Sequence, residues 1–292
     1  MPKIGDRRGV SVRNVSHAVR KEPFLGHLIL WLAVLVTVLP MLVTLLTSLK
    51  YTRDIISGSL FFQPTLGNYA SLFTGQGGDF LHLLLNSVIA SVGSTAIVII
   101  ISSLAAYSIS RFKWPRWVSG VIVSWLLFAQ MLPPIVFVGP FYLMSRTLGV
   151  YNTPVALVMA YIVLDFPLAM FILRRFFADV PSEIEDAALI DGASHATTFL
   201  RIIVPIVSPG ITAAALLSFV FSWNDFIFAL SLTSSSSGMT IPVGIANFAQ
   251  EYQILYGEMT SAAFFAAIPA IILVVFAQRY ITTGLALGSV KG

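Results

Sequence analysis

Long apolar runs, separated by shorter polar segments, dominate the chain. Six of them reach the length of about 17–25 residues that a helix needs to cross a bilayer. In lipid such runs must be helical, because every backbone amide needs a hydrogen-bond partner within its own segment. The pattern therefore predicts an all-α integral membrane protein with six transmembrane helices, at residues 26–48, 84–108, 118–140, 153–173, 205–232 and 261–283.

The composition agrees with lipid as the main solvent. Hydrophobic residues make up 57% of the 292 residues and charged residues only 10%, whereas soluble domains carry about 25% charged residues. The chain has no cysteine, which excludes disulfides, thiolate catalysis and cysteine metal sites. Its four histidines are scattered along the sequence, so we expect no metal centre.

Lysine and arginine positions predict the orientation, because cytoplasmic loops carry the excess of positive charge. If residues 1–25 are cytoplasmic, 14 of the 17 basic residues fall inside, and only Lys50, Arg53 and Arg146 fall outside. We therefore expect both ends, including a tail at 284–292, in the cytoplasm. The first apolar run is too long for a signal-peptide core and lacks a cleavage site, so it predicts a retained helix.

Two long connections are then expected on the outer side. Residues 49–83 follow the first span, and residues 233–260 lie within the predicted transmembrane core, residues 84–283. The first carries a glycine-rich turn signal at residues 75–78, and the second begins with the polar run Ser234 to Ser237. Each could be a solvated connection or a contact surface for an external partner, and the residues alone leave both possibilities open.

The connection at residues 176–205, expected in the cytoplasm, predicts a helical hairpin. Ser182 and Glu185 form a capping-box pattern at the first helix start. Gly192 predicts a left-handed residue that ends this helix, and Ser194 predicts the cap of a second helix.

One face of the first predicted helix carries Ile184, Ala187 and Ala188 at helical spacing. The alanines are small enough to let another surface approach closely. From these residues alone, an ordinary hairpin on the membrane surface and a docking element are equally acceptable interpretations.

The same segment resembles the loop signature of permease subunits in binding-protein-dependent ABC importers, which reads Glu-Ala-Ala, three residues, Gly, nine residues, Ile-x-Leu-Pro. Here it reads Asp186-Ala187-Ala188, three residues, Gly192, nine residues, Ile202-Ile203-Val204-Pro205. All intervals match, with conservative changes at Asp186 and Val204. Further segments resemble the carbohydrate branch, in particular the smaller maltose-type permease: Ala105 to Phe112, Ser222-Trp223-Asn224-Asp225-Phe226, Ile241-Pro242-Val243-Gly244 and Gly288 to Gly292.

The resemblance implies a type I ABC importer permease in the bacterial inner membrane that passes a sugar, polyol or glycerol derivative. The implied partners are a second permease, two cytoplasmic ATPase subunits, an external solute-binding protein and membrane lipid, with no nucleic acid. The chain lacks the phosphate-binding loop of ATPases, so we expect no cofactor and no enzymatic activity here, with ATP and Mg²⁺ bound by the partner ATPases. The residues implied in coupling to the ATPases are Glu183, Glu185, Asp186, Ala187, Ala188, Asp191, Gly192, Ala193 and Pro205.

Polar and aromatic residues within the predicted spans are candidates for the translocation pathway, because polar groups in lipid are costly and often functional. They equally suit hydrogen bonding between helices. An ion-gradient-driven secondary transporter using Asp165 is the alternative function, although no internal repeat is visible. The candidate pathway residues are Asn86, Gln130, Asp165, Trp223, Asn224, Asp225 and Phe226.

Overall fold

The computed structural model describes residues 24–74, 79–249 and 254–288, and side-chain surroundings for 26–74, 79–249 and 254–278. The glycine-rich turn signal at 75–78, nearly all of the predicted N-terminal segment and the last four residues of the tail lie outside the described residues. The chain divides into two compact units, residues 1–43 and 44–292.

The described residues form helices joined by turns, with an isolated bridge between Ala249 and Ile254. The helices, in chain order, are α1 (Phe24–Ser48), α2 (Thr52–Ile56), α3 (Gly67–Thr74), α4 (Phe80–Arg111), α5 (Arg116–Met131), α6 (Val138–Thr147), α7 (Pro154–Asp179), α8 (Ser182–Ile190), α9 (His195–Thr198), α10 (Val204–Ile206), α11 (Ser208–Trp223), α12 (Ile227–Leu232), α13 (Ile241–Ala246) and α14 (Tyr256–Gly288). The predicted all-α fold is confirmed.

Within the described residues, four helices are long and apolar enough to cross a membrane: α1, α4, α7 and α14. The number rises to six if two bent helix pairs each count as one span. These six elements correspond in order to the six predicted spans, and the four unbroken helices contain the predicted ranges nearly whole.

The two remaining spans are not the continuous helices predicted at 118–140 and 205–232. The first breaks between α5 and a 3₁₀ turn at Pro134–Phe137 that leads into α6, with a bend of 99°. Leu132 is extended there because the residue before a proline is pushed out of the helical region. The second pair bends by 76° at Val207, and α11 ends at Trp223 before the separate α12.

The described part of the first unit is residues 24–43 of α1, whose large apolar side chains are mostly exposed. Exposed apolar surface of this extent is normal for a helix that faces lipid or a partner chain.

The second unit is built on α4, α7 and α11, which pack along one another. Ser91 and Ser94 on α4 and Ser218 on α11 are buried, and the hydroxyl of Ser94 lies 3.2 Å from that of Ser222 on α11. Small residues let helix backbones approach closely in membranes. The apolar core forms three clusters, centred on Leu157 and Phe228, on Leu173 and Phe177, and on Phe80 and Trp223.

Candidate functional site

The start of the predicted hairpin differs from the capping box expected there. Pro181 occupies the N-cap position, and no side chain caps α8. Glu185 instead points to α4: its Oε1 lies 2.5 Å from Nε of Arg111, and its Oε2 accepts a 2.9 Å hydrogen bond from the hydroxyl of Tyr107. The capping-box prediction was wrong because a basic residue distant in sequence competes for the carboxylate.

The turn of the hairpin is as predicted. Gly192 has φ of +86°, the left-handed region that glycine adopts without steric cost. The backbone N–H of Ala193 donates to the carbonyl of Ala188 at 3.0 Å, and the N–H of Gly192 donates to Leu189 at 3.1 Å, which is the Schellman pattern of helix ends. Ser194 Oγ accepts from the N–H of Thr197 at 3.2 Å, so it caps α9 as expected.

The returning arm of the hairpin is less regular than predicted. The α-helical geometry of α9 changes to a π-helical turn at Phe199–Ile203 and returns in α10. Ile203 is buried, and the ring of Phe199 lies 4.8 Å from that of Tyr107. The hairpin is therefore packed firmly against the ends of α4 and α7.

Ile184, Ala187 and Ala188 were predicted to share one face of the first hairpin helix, but in the structure their side chains differ in exposure. Ala188 is only 6% exposed and faces the core, Ile184 is half-buried, and Ala187 is exposed. Ile190, which sequence reasoning passed over, is 86% exposed. The other predicted coupling residues Glu183, Asp186, Asp191, Gly192 and Pro205 are exposed, and Ala193 is half-buried.

A second candidate region is a cavity of about 630 Å³ between α5, α7 and the α11–α12 break. It brings together three of the predicted pathway residues, Gln130, Asp165 and Asp225. Oδ2 of Asp165 accepts a 2.7 Å hydrogen bond from Ser222, whose hydroxyl lies 3.2 Å from that of Ser94 on α4.

Asp225 lies in the break between α11 and α12, at one side of this cavity. Its Oδ2 accepts a 2.9 Å hydrogen bond from the Tyr161 hydroxyl and 3.1 Å hydrogen bonds from the N–H groups of Phe228 and Ala229. The carboxylate thus satisfies free amides at the start of α12. Tyr161 was missed from the sequence, although it precedes Asp165 by one helical turn and so shares its face.

The other four predicted pathway residues lie outside the cavity lining. Asn86 donates through Nδ2 to the carbonyls of Ser236 and Met239 at 2.8 and 2.9 Å. Trp223 donates to the carbonyl of Ala266 at 3.1 Å, Asn224 donates to its own helix at Val220, and Phe226 is exposed. For Asn86 and Trp223 these contacts match the alternative of hydrogen bonding between elements of the fold.

The polar run at residues 234–237 is organised around Asn152, which has φ of +61°. Its Oδ1 accepts from the backbone N–H groups of Ser234 and Ser235 at 2.8 and 3.0 Å, and its Nδ2 donates to the hydroxyls of Ser235 and Ser237. The serine run is therefore an ordered turn held beside the start of α7. Among the described residues no group of His, Cys, Asp and Glu is arranged to hold a metal ion.

A family model described as "Binding-protein-dependent transport system inner membrane component" matches residues 98–286, which include the hairpin and the cavity. The chain belongs to this family. The expectations of a transport role and of no enzymatic activity are confirmed by this membership, and the secondary transporter alternative finds no support.

Curated relatives agree with this assignment. The trehalose transport system permease protein SugB of Mycobacterium tuberculosis is 35% identical over 257 residues, which cover 87% of this chain and 92% of SugB. The trehalose/maltose transport system permease protein MalG of Thermococcus litoralis is 35% identical over 232 residues, covering 79% of this chain and 83% of MalG. The chain is thus a multi-pass membrane permease of the carbohydrate branch of binding-protein-dependent ABC importers.

The fold is also that of solved importers. A chain of a bacterial ABC transporter involved in the import of the acidic polysaccharide alginate matches with a TM-score of 0.74 at 18% identity, covering 88% of this chain and 95% of that one. At this identity the match supports the fold alone, which is the permease fold that the hairpin signature predicted.

Proposed function

We propose that this permease forms, with a second permease, the translocation pathway for a sugar, polyol or glycerol derivative delivered by an external binding protein. Relatives are described as permeases for trehalose, for trehalose/maltose and for sulfoquinovosyl glycerol. Their shared chemistry is a hydroxyl-rich solute, and the cavity with Gln130, Asp165, Tyr161 and Ser222 offers hydrogen-bonding groups suited to hydroxyls.

The proposed coupling to the ATPases rests on one observation, the exposed face of α8. Ile190 is 86% exposed beside the exposed Glu183, Asp186 and Ala187, while Glu185 and Ala188 hold the opposite face to the protein body. An exposed apolar side chain amid carboxylates suits docking into a groove that offers an apolar pocket and basic groups. We propose that two ATPase subunits, which bind the ATP and Mg²⁺, engage the importer at this hairpin and at its counterpart on the second permease.

The proposal also fixes a topology in the bacterial inner membrane. The hairpin and both chain ends lie in the cytoplasm, and the turn ordered by Asn152 faces outward. There the binding protein would meet a preformed surface at residues 233–238 rather than a mobile connection.

The natural absence of cysteine permits a direct test of the docking surface. A single cysteine at Ile190 in the assembled importer should crosslink to the ATPase with a short linker that is thiol-reactive at one end and photoreactive at the other. A cysteine at Ala188 should not, because that position faces the core. Absence of a crosslink from Ile190 in the presence and absence of ATP, in a complex that still copurifies with the ATPase, would refute the proposed surface. Uptake of labelled carbohydrates by proteoliposomes with the binding protein tests the cargo class separately.

A further inference from the structure

We propose that Asp165 and Asp225 make the cavity selective by charge, so that it favours neutral or positively charged hydroxylated solutes over anionic ones. This inference rests on the proposed function, because it concerns the solute that passes the cavity. It narrows the cargo class, since carbohydrates taken up by importers of this fold include the acidic polysaccharide alginate.

The acidic groups of the cavity have no basic counterpart. Among the described residues that line it, Asp165 and Asp225 are acidic, and no lysine or arginine is present. The remaining polar lining groups, Gln130, Tyr161 and Ser222, are neutral. Most of the wall is apolar and aromatic, which keeps the local dielectric constant low.

Each carboxylate is held in place through one of its two oxygens. Its other oxygen remains available to a ligand. Hydrogen bonds from Ser222 to Asp165, and from Tyr161 and two backbone N–H groups to Asp225, all use Oδ2. Within the described residues no hydrogen bond reaches Oδ1 of either aspartate. A ligand hydroxyl can donate to such an oxygen, whereas a ligand carboxylate or sulfonate has no proton to donate and is repelled.

The strength of this repulsion follows from the surroundings. An ionised aspartate in a wall of low dielectric constant repels a ligand anion, and water screens this repulsion poorly. Clefts lined by one sign of charge likewise change the local concentration of charged solutes. The selectivity should therefore act on any charged molecule that enters the cavity, whether or not it is the natural cargo.

The test measures the charge of the cavity directly, in the complete importer with its partner subunits. Ala129 lines the cavity, and Ala129→Cys supplies a single thiol in a chain without cysteine. Its modification by two methanethiosulfonates of similar size, one with a trimethylammonium group and one with a sulfonate, is followed by the mass of this chain. We expect the ratio of cationic to anionic rate to fall about tenfold when Asp165→Asn and Asp225→Asn are combined, and about threefold for each alone.

Asparagine keeps a side-chain carbonyl that accepts from Ser222 or Tyr161, so these variants remove charge and retain the acceptor. The matched control is Asp179→Asn, which removes an exposed carboxylate outside the cavity lining and should leave the ratio unchanged. A ratio that none of the cavity variants alters, or a faster anionic reaction in the unsubstituted background, overturns the inference. If the single variants assemble and the double variant does not, the single variants decide.

Uptake experiments separate this inference from the proposed function. If the rate ratio responds as expected and no carbohydrate is taken up, the proposed cargo fails while the charged cavity stands. If trehalose is taken up and the ratio does not respond, the cargo class stands and the charge selectivity fails.

Discussion

Nε of Arg111, in the last turn of α4, lies 2.5 Å from Oε1 of Glu185, in the first turn of α8. Both side chains are largely buried, with 14% and 13% of their surface exposed. Arg111 also donates through Nη2 to the carbonyl of Val180 at 2.6 Å, and Tyr107 donates to Glu185. We therefore expect a force on the hairpin to reach α4, because movement of the hairpin alone would separate buried charges.

Arg111→Ala should uncouple the hairpin from α4. The substitution leaves the Glu185 carboxylate buried without its partner, at a cost of about 3 kcal/mol. We expect a lower thermal midpoint of the purified complex and fewer solute molecules transported per ATP hydrolysed. Both quantities can be measured on the same reconstituted preparation.

The matched control is Arg175→Ala, since Arg175 pairs with Asp179 at 3.4 Å on an exposed surface. An exposed pair four residues apart on a helix contributes only about 0.3–0.5 kcal/mol. Arg111→Lys, which keeps the charge and loses the forked geometry, should lie between the two. Equal effects of Arg111→Ala and Arg175→Ala would contradict the role of the buried pair.

Ala188→Asp and Ile190→Asp should separate packing from docking. Ala188 is buried, so an aspartate there places a charge in the core and lowers the stability of this permease by itself. Ile190 is exposed and contributes little to the fold, so Ile190→Asp should change the free energy of unfolding by no more than about 0.5 kcal/mol and should weaken copurification with the ATPase. Normal ATPase retention by Ile190→Asp would argue against the proposed docking surface.

The sequence pattern predicts the helices well and their breaks poorly. Apolar runs of membrane length define where α1, α4, α7 and α14 lie, because lipid imposes helix on any such run. The break at Leu132–Pro133 is different, since membrane helices can also continue through proline, as α7 does at Pro167. Whether a helix breaks or continues at such a proline depends on how the neighbouring helices pack against it.

Predictions about the site likewise succeed where the cause lies within a few residues and fail where it lies far away in the sequence. Gly192 and Ser194 were predictable because a helix end and a cap are decided within a few residues. The partner of Glu185 was not, because Arg111 is far away in the sequence and competes with a local cap that looked sufficient. Likewise nothing in the sequence distinguishes Asn86, which donates to the loop carbonyls of Ser236 and Met239, from Asp165, which lines the cavity. Only the positions of the facing helices do so.

Gly192→Val should disrupt the hairpin turn through its backbone conformation. Beyond the adjoining residues, no atom lies within 4 Å of the position that a Cβ would take, so the expected cost comes from the backbone angle of +86°. A β-branched residue in this region costs about 1–3 kcal/mol, while asparagine tolerates it better. We expect Gly192→Val to reduce copurification with the ATPase and Gly192→Asn to retain most of it, with both variants inserted at normal levels in the membrane.

If Gly192→Val and Gly192→Asn behave alike, the left-handed turn is not what presents the hairpin to its partner. Membrane levels measured by immunoblot separate this outcome from a failure of insertion.

Gly210→Ala should destabilise the contact between α11 and α7, whereas Gly93→Ala on α4 should not destabilise the protein. A Cβ at Gly210 would overlap Cγ and Cδ2 of Phe176 and lie 2.9 Å from its Cβ, so the start of that side chain would have to move. A Cβ at Gly93 would meet only Cγ2 of Val158, at an ordinary 3.4 Å. Alanine is the better helix former by about 1 kcal/mol at both positions, and overpacking costs about 1–3 kcal/mol, so only Gly210→Ala should lower the thermal midpoint.

The origin of that loss can be assigned by a double-mutant cycle with Phe176→Ala, which removes the ring that Gly210 accommodates. If the contact is the cause, Gly210→Ala should cost less in the Phe176→Ala background than in the original, with a coupling of about 1 kcal/mol or more. Additive effects would instead place the cause at the adjoining bend near Val207, where α10 and α11 meet. The cycle thus decides whether the small residue serves helix packing or the break in this span.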